Sequence, residues 1–140
     1  MKFNEELDIT GLKRALVAYK KMIKYANNVK NKVELDDYEN HVVRAALIQH
    51  FEFSYELAVR FMLRFLTREG IEVSRSKRVI FREALLIGLI DDFEKWITFT
   101  DARNETSHSY DENIAEEVSS IAYSFYEEFE RFTQTLENLL

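Results

Sequence analysis

The sequence predicts an all-α fold, an up-and-down helical bundle of four main helices plus a short extra one, with residues 1–140 forming a single domain. Three observations predict it. The 140 residues contain no proline and only three glycines, Gly11, Gly70 and Gly88, so the strongest helix breakers are nearly absent. Apolar residues recur at steps of three and four through several long segments. No segment alternates apolar and polar residues for long enough to make a strand. With 46% hydrophobic and 14% aromatic residues, the chain can bury a real core and is not expected to be disordered.

The first helix is predicted from Thr10, as its N-cap, to about Asn31. Leu12, Leu16, Tyr19, Ile23 and Ala26 form one apolar stripe, and Lys13, Lys20, Lys21 and Lys24 fall largely on the other faces. Asn27, Asn28, Asn31, Asp36 and Asp37 mark the expected polar connection. The second helix, Tyr38 to Thr67, is the longest. It carries one stripe through Leu47, Phe51, Ser54, Ala58, Phe61 and Phe65, and another through Ala46, His50, Phe53 and Leu57. A helix apolar on two sides needs partners on both, so it is central or lies at a subunit interface. His50, among aromatics, reads as a core histidine. Arg60, Arg64 and Arg68 share a face, which suits a solvated edge or a phosphate ridge.

Gly70 stands where a left-handed C-cap is needed. A short helix follows from about Ser76 to Leu86, with Gly88 as its stop. Asp91 or Asp92 caps the next helix, which contains Phe93, Trp96, Ile97 and Thr100; Trp96 reads as core packing. The last helix is expected to open with Asn113 as cap and Glu116 in capping-box spacing. Ile114, Val118, Ile121, Phe125, Phe129, Phe132, Leu136 and Leu139 then keep helical step to the end.

Composition excludes several chemistries. Without cysteine there are no disulfides, thiolate metal sites or cysteine nucleophile. The stretch Met1 to Glu6 shows no apolar signal segment, and no run of apolar residues is long enough for a membrane span, so a cytoplasmic location is the expectation. Asn104-Glu105-Thr106 fits a glycosylation sequon that carries no meaning without a secretory signal. The net charge of −6 argues against a general nucleic-acid binder. The charge is unevenly spread: residues 1–32 carry eight basic residues against three acids, and residues 103–140 carry nine acids against two arginines. Such polarity suits a charged partner on one side, or solvated helix faces.

Between the last two helices lies Ala102-Arg103-Asn104-Glu105-Thr106-Ser107-His108-Ser109-Tyr110, a guanidinium, carboxamide, imidazole and phenol within eight positions. If the helix continues through it, Asn104 and His108 share a face, as do Arg103 and Ser107. Residue chemistry alone leaves two readings. One is a site for a phosphate-bearing ligand. The other is a helix end, where a histidine is favoured by the dipole and Asn and Ser are common. Glu105-x-x-His108 has the spacing of a di-iron bundle, but neither His41 nor His50 has the matching Glu, so no metal is expected. The isolated glycines make no phosphate loop, and no cofactor is expected.

The order Arg103, Asn104, His108, Tyr110 resembles the signature of the HEPN superfamily of small helical proteins. Three blocks narrow the resemblance to its nucleotidyltransferase substrate-binding protein branch: Phe51 to Ala58 (FEFSYELA), Phe81 to Asp92 (FREALLIGLIDD) and Asp101 to Val118 (DARNETSHSYDENIAEEV). The chain lacks the signature of a nucleotidyltransferase itself. The resemblance implies a binding subunit for a separate minimal nucleotidyltransferase, with Arg103, Asn104, His108 and Tyr110 contacting a nucleotide or other substrate. The ribonuclease members of the superfamily imply an alternative, which the three blocks fit less well: a metal-independent ribonuclease toxin of a toxin–antitoxin pair, with Arg103 and His108 catalytic and RNA as substrate. There the nucleotidyltransferase is the antitoxin, and Tyr110 is the position where nucleotide attachment silences the toxin. The second helix carries more apolar surface than one neighbour can cover, so a homodimer is expected, which with the partner would make a heterotetramer.

Overall fold

The computed structural model describes residues 7–32 and 36–140. Met1 to Glu6, the stretch read as lacking a signal segment, lies outside the described residues, as does 33–35 within the first connection. The described residues form five α-helices and one 3₁₀ turn: α1 Thr10–Lys30, α2 Asp37–Arg68, α3 Lys77–Leu86, α4 Phe93–Glu105, the 3₁₀ turn Thr106–His108, and α5 Glu112–Leu139. None of these helices is long and apolar enough to cross a membrane. The expected bundle of four main helices and a short one is what forms.

α2 is the spine. Its 32 residues extend about 48 Å, and it packs against α1, α3, α4 and α5. The predicted stripe through Leu47, Phe51, Ser54, Ala58, Phe61 and Phe65 is buried along its whole length. The second stripe is not: Ala46, His50 and Leu57 are half-buried and Phe53 is 61% exposed. His50 therefore lines the surface of the α1–α2 face, where burial lowers its pKa, rather than sitting in the core.

The core is aromatic. Trp96 is fully buried and meets Phe99, Phe125 and Phe132 edge-on at ring-centroid separations of 5.5, 5.6 and 5.9 Å. Such edge-to-face contacts add to area burial, which is worth roughly 1.5–3 kcal/mol for each large apolar side chain. On the opposite side of α5, the Tyr19 hydroxyl of α1 donates 2.6 Å to the Ala122 carbonyl, and burial holds that phenol well above its usual pKa. A Lys13–Glu137 ion pair joins the start of α1 to the end of α5.

The helix ends follow from local chemistry. Gly70 (φ 80°) and Gly88 (φ 77°) both take the left-handed conformation. Behind each, the next N–H reaches back along the helix: Ile71 to the Leu66 carbonyl at 2.9 Å and Leu89 to that of Ala84 at 2.8 Å, closing Schellman caps on α2 and α3. Asp92 caps α4 by accepting from Lys95 N–H at 3.0 Å.

Three expected details are corrected. Thr10 is the first helical residue rather than the cap. The Asp8 carboxylate accepts from both its N–H and its hydroxyl, which holds the Asp8 pKa below the usual value. Asn27 and Asn28 lie in α1, not in the connection. α5 begins before Asn113, and its cap is Asp111, whose carboxylate accepts from Asn113 and Ile114 N–H at 2.9 and 3.2 Å. A charged carboxylate is the stronger acceptor for the exposed amides of a helix start.

Candidate functional site

The motif sits where α4 breaks. Its α-helical bonding stops at Glu105, and Thr106 to His108 tighten into the 3₁₀ turn before α5 begins. Four-residue spacing therefore does not carry through, and Asn104 and His108 are not stacked on one helical face as a continuous helix would require.

α4 is registered against α2 by a part-buried hydroxyl pair. Thr100 Oγ1 donates to the Trp96 carbonyl at 2.9 Å, which leaves it to accept from the Tyr55 hydroxyl. Burial pushes the Tyr55 phenol up to about 12, so it remains a donor at all ordinary pH. That contact brings the last turn of α4 opposite Glu52 and Glu56, four residues apart and so on one face of α2.

Arg103 enters between these carboxylates. Its Nε lies 3.0 Å from Glu56 Oε1 and its Nη1 3.5 Å from Glu52 Oε2, while Nη1 donates to Thr106 Oγ1 at 2.9 Å. The Nε–H does not point at the Glu56 oxygen, so that contact is an ion pair rather than an aligned hydrogen bond. Thr106 is buried, and its hydroxyl lies 3.0 Å from Glu52 Oε2 and 2.7 Å from the Arg103 carbonyl. Its single proton serves one of these at a time. One positive charge faces two negative ones, and Nη2 is left without a protein partner among the described residues.

The other predicted residues divide between two sides of this clamp. His108 is exposed, and its ring meets the ring of Tyr110 edge-on with centroids 6.1 Å apart. Tyr110 is 85% exposed and opens onto a groove of about 450 Å³ whose walls include His41, Arg44, Gln49 and Glu52. Glu52 thus joins Arg103 to the His108–Tyr110 side. Asn104 lies on the other side, in a separate groove of about 450 Å³ between α4 and α5 with Asp101, Glu105 and Glu117. Tyr110 lines one groove, with Glu52 of the Arg103 clamp in its wall and His108 against its ring, whereas Asn104 lines another.

Sequence reasoning missed Glu52, Glu56, Thr106, His41 and Arg44. The two glutamates stand in one of the resembling blocks, and their four-residue spacing was a signal for a shared face. Nothing local indicated that Arg103 would be what they face. Among the described residues no three His, Cys, Asp or Glu side chains come together as a metal site.

Comparison with known proteins bears on the family and the fold. A probable ribonuclease, HepT, of Haemophilus influenzae is 44% identical over 75 residues, a match that spans only about half of each protein, 51% of this chain and 51% of that one. A solved structure from the same species, presented as the fold of a substrate-binding domain of a nucleotidyltransferase, superposes with a TM-score of 0.82 at 29% identity. That likeness covers 93% of this chain and 99% of the other. A Thermus thermophilus protein at 24% identity has the same fold, with a TM-score of 0.69 over 91% of this chain and 98% of its own. The family model described as nucleotidyltransferase substrate binding protein like matches residues 7–138. The chain belongs to that family of nucleotidyltransferase substrate-binding-like proteins.

Proposed function

We propose that this chain is a nucleotide- or substrate-binding subunit that pairs with a separate minimal nucleotidyltransferase. The observation that carries the reading is the Arg103 clamp. A guanidinium held by Glu52, Glu56 and Thr106 is fixed in direction but sits in a net negative setting. A long RNA strand favours electropositive clefts. A small ligand needs only a few oriented donors and an apolar surface, which Arg103 Nη2, His108 and the open Tyr110 ring supply. Family membership and the likeness to a nucleotidyltransferase's substrate-binding domain support the pairing. The partner would hold the metal and the nucleoside triphosphate, and this chain would need no cofactor of its own. Asn104 would contact the partner or a ligand portion reaching the α4–α5 groove.

The similarity to a protein named as a ribonuclease favours a second reading. There His108 would move the 2′-OH proton or protonate the leaving oxygen, and Arg103 would stabilise the charged phosphorane. Tyr110, at 85% exposure, would be open to nucleotide attachment by the antitoxin partner. In both readings the chain pairs with itself through the α1–α2 face that Ala15, Ala18, Ala46 and Phe53 leave apolar, and two copies then join the partner as a heterotetramer.

Co-expression with a minimal nucleotidyltransferase from the same genome tests the pairing. A stable complex whose association strengthens with ATP supports the first reading, and His108→Ala would weaken nucleotide binding there by about 0.5–3 kcal/mol. Absence of any complex, with or without ATP, contradicts it.

A further inference from the structure

Arg103 is the arginine the motif offers to a phosphate, yet an anion approaching it also approaches Glu52 and Glu56. A second arginine, on the Tyr110 groove itself, has a different setting. Arg44 of α2 opens toward Tyr110, and its ion-pair partner is Glu112, 3.3 Å away and itself 85% exposed. Arg44 itself is 23% exposed, but its partner carboxylate stands in solvent and is free to swing away, so a phosphate reaching the Arg44 fork can take its place. His41 lies three residues before Arg44, on the same face of α2.

Both residues also line an adjoining cavity of about 610 Å³, where Lys30 adds a further cation and Asp37, Glu112 and Glu116 are the acids. On the same groove, the Tyr110 ring meets His108 edge-on and has most of its surface open. A flat open ring and a guanidinium fork on one groove match the two ends of a nucleotide. Bases stack on aromatic faces regardless of sequence, and guanidinium groups bind phosphate through paired donors. The groove volume of about 450 Å³ lies within the usual range for small-ligand sites.

We propose that His41 and Arg44 form a phosphate subsite for a nucleotide whose base stacks on Tyr110. This rests on the nucleotide-binding reading of the motif and extends it to two α2 residues outside that motif. Arg103 then holds Glu52 in the groove wall, and the phosphate sits about two helical turns away along α2, at Arg44.

The test is an NMR titration of the purified chain with AMP, with adenosine, and with a ten-residue oligoadenylate in EDTA. AMP is expected to shift the Tyr110 and His41 ring signals and to bind about threefold to tenfold more tightly than adenosine. Arg44→Gln is expected to remove that preference, Arg44→Lys to keep part of it, and Tyr110→Ala to weaken AMP and adenosine alike. If the oligoadenylate binds more tightly than AMP with the same Arg44 dependence, the phosphate belongs to a strand, and the subsite stands. AMP binding that ignores Arg44→Gln and fails in Arg103→Gln overturns the subsite while leaving nucleotide binding intact. No binding of any probe overturns both.

Discussion

Arg103 Nε stands 3.0 Å from Glu56 Oε1, a contact between helices that the chain separates by α3 and two connections. It converts the arginine from a free cation into a positioned group with one open nitrogen. The same clamp includes Thr106, buried and hydroxyl-bearing, at the point where α4 gives way to the 3₁₀ turn.

Thr106→Val keeps the shape and removes the bridge. Glu52 and Arg103 then lose their shared partner at a part-buried position, and a stability loss of about 1–3 kcal/mol is expected. Thr106→Ser retains the hydroxyl and should recover most of it. Urea denaturation of the three proteins measures this; equal midpoints would mean that the hydroxyl bridge contributes nothing.

Gly70→Ala isolates backbone strain. A Cβ there would meet no atom within 4 Å, so the cost comes from φ 80° alone. About 1–2 kcal/mol of destabilisation is expected. Gly11→Ala, also in open space but in the first turn of α1, should be neutral or stabilising by up to about 1 kcal/mol. Thermal denaturation that ranks the two variants the other way would refute the argument.

Glu128 makes stability depend on pH. It is buried, and burial raises its pKa above 4.5 despite Arg131 at 3.2 Å and Lys95 at 3.9 Å. The folded state therefore holds this proton more tightly than the unfolded chain. Its contribution is fully present below the unfolded value and is lost as pH rises through the folded one. Glu128→Gln should raise the melting temperature at pH 7 relative to the native chain and flatten the change above pH 4.5. A native melting temperature that rises over that interval by the same amount in both proteins would contradict this.

The exposed second stripe of α2 predicts self-association. Phe53 is 61% exposed, beside Ala15, Ala18 and Ala46 on the α1–α2 face. Light scattering at micromolar concentration should give the mass of a dimer, and Phe53→Asp should give a monomer with unchanged helix content. A monomeric native chain at that concentration would remove the basis for the dimer.

Most of the fold was legible because the information is local. Missing prolines, Gly70 and Gly88 past helix ends, and the stripes of α2 and α5 act within a few residues of where they stand. Trp96 was placed in the core by the same periodicity. The α5 cap was misread because Asn113 and Glu116 imitate a capping box, whereas Asp111 offers a stronger acceptor two residues earlier. The site was legible only as a set of residue types. The switch to a 3₁₀ turn after Glu105 sends Asn104 and Tyr110 to different grooves, and pairing Arg103 with Glu52 and Glu56 requires the packing of α4 on α2. Neither is written in the spacing of the motif.

RNA cleavage by the purified chain alone, in EDTA to silence metal-dependent nucleases, separates a binding subunit from a ribonuclease most directly. A positioned proton donor or acceptor contributes about 10² to 10⁴-fold to such a reaction, so His108→Ala would abolish a genuine activity. As a binding subunit, the native chain should leave RNA intact, be harmless when expressed, and give the same result as His108→Ala. Cleavage that persists in EDTA and vanishes in His108→Ala would contradict the binding-subunit account and establish the ribonuclease in its place.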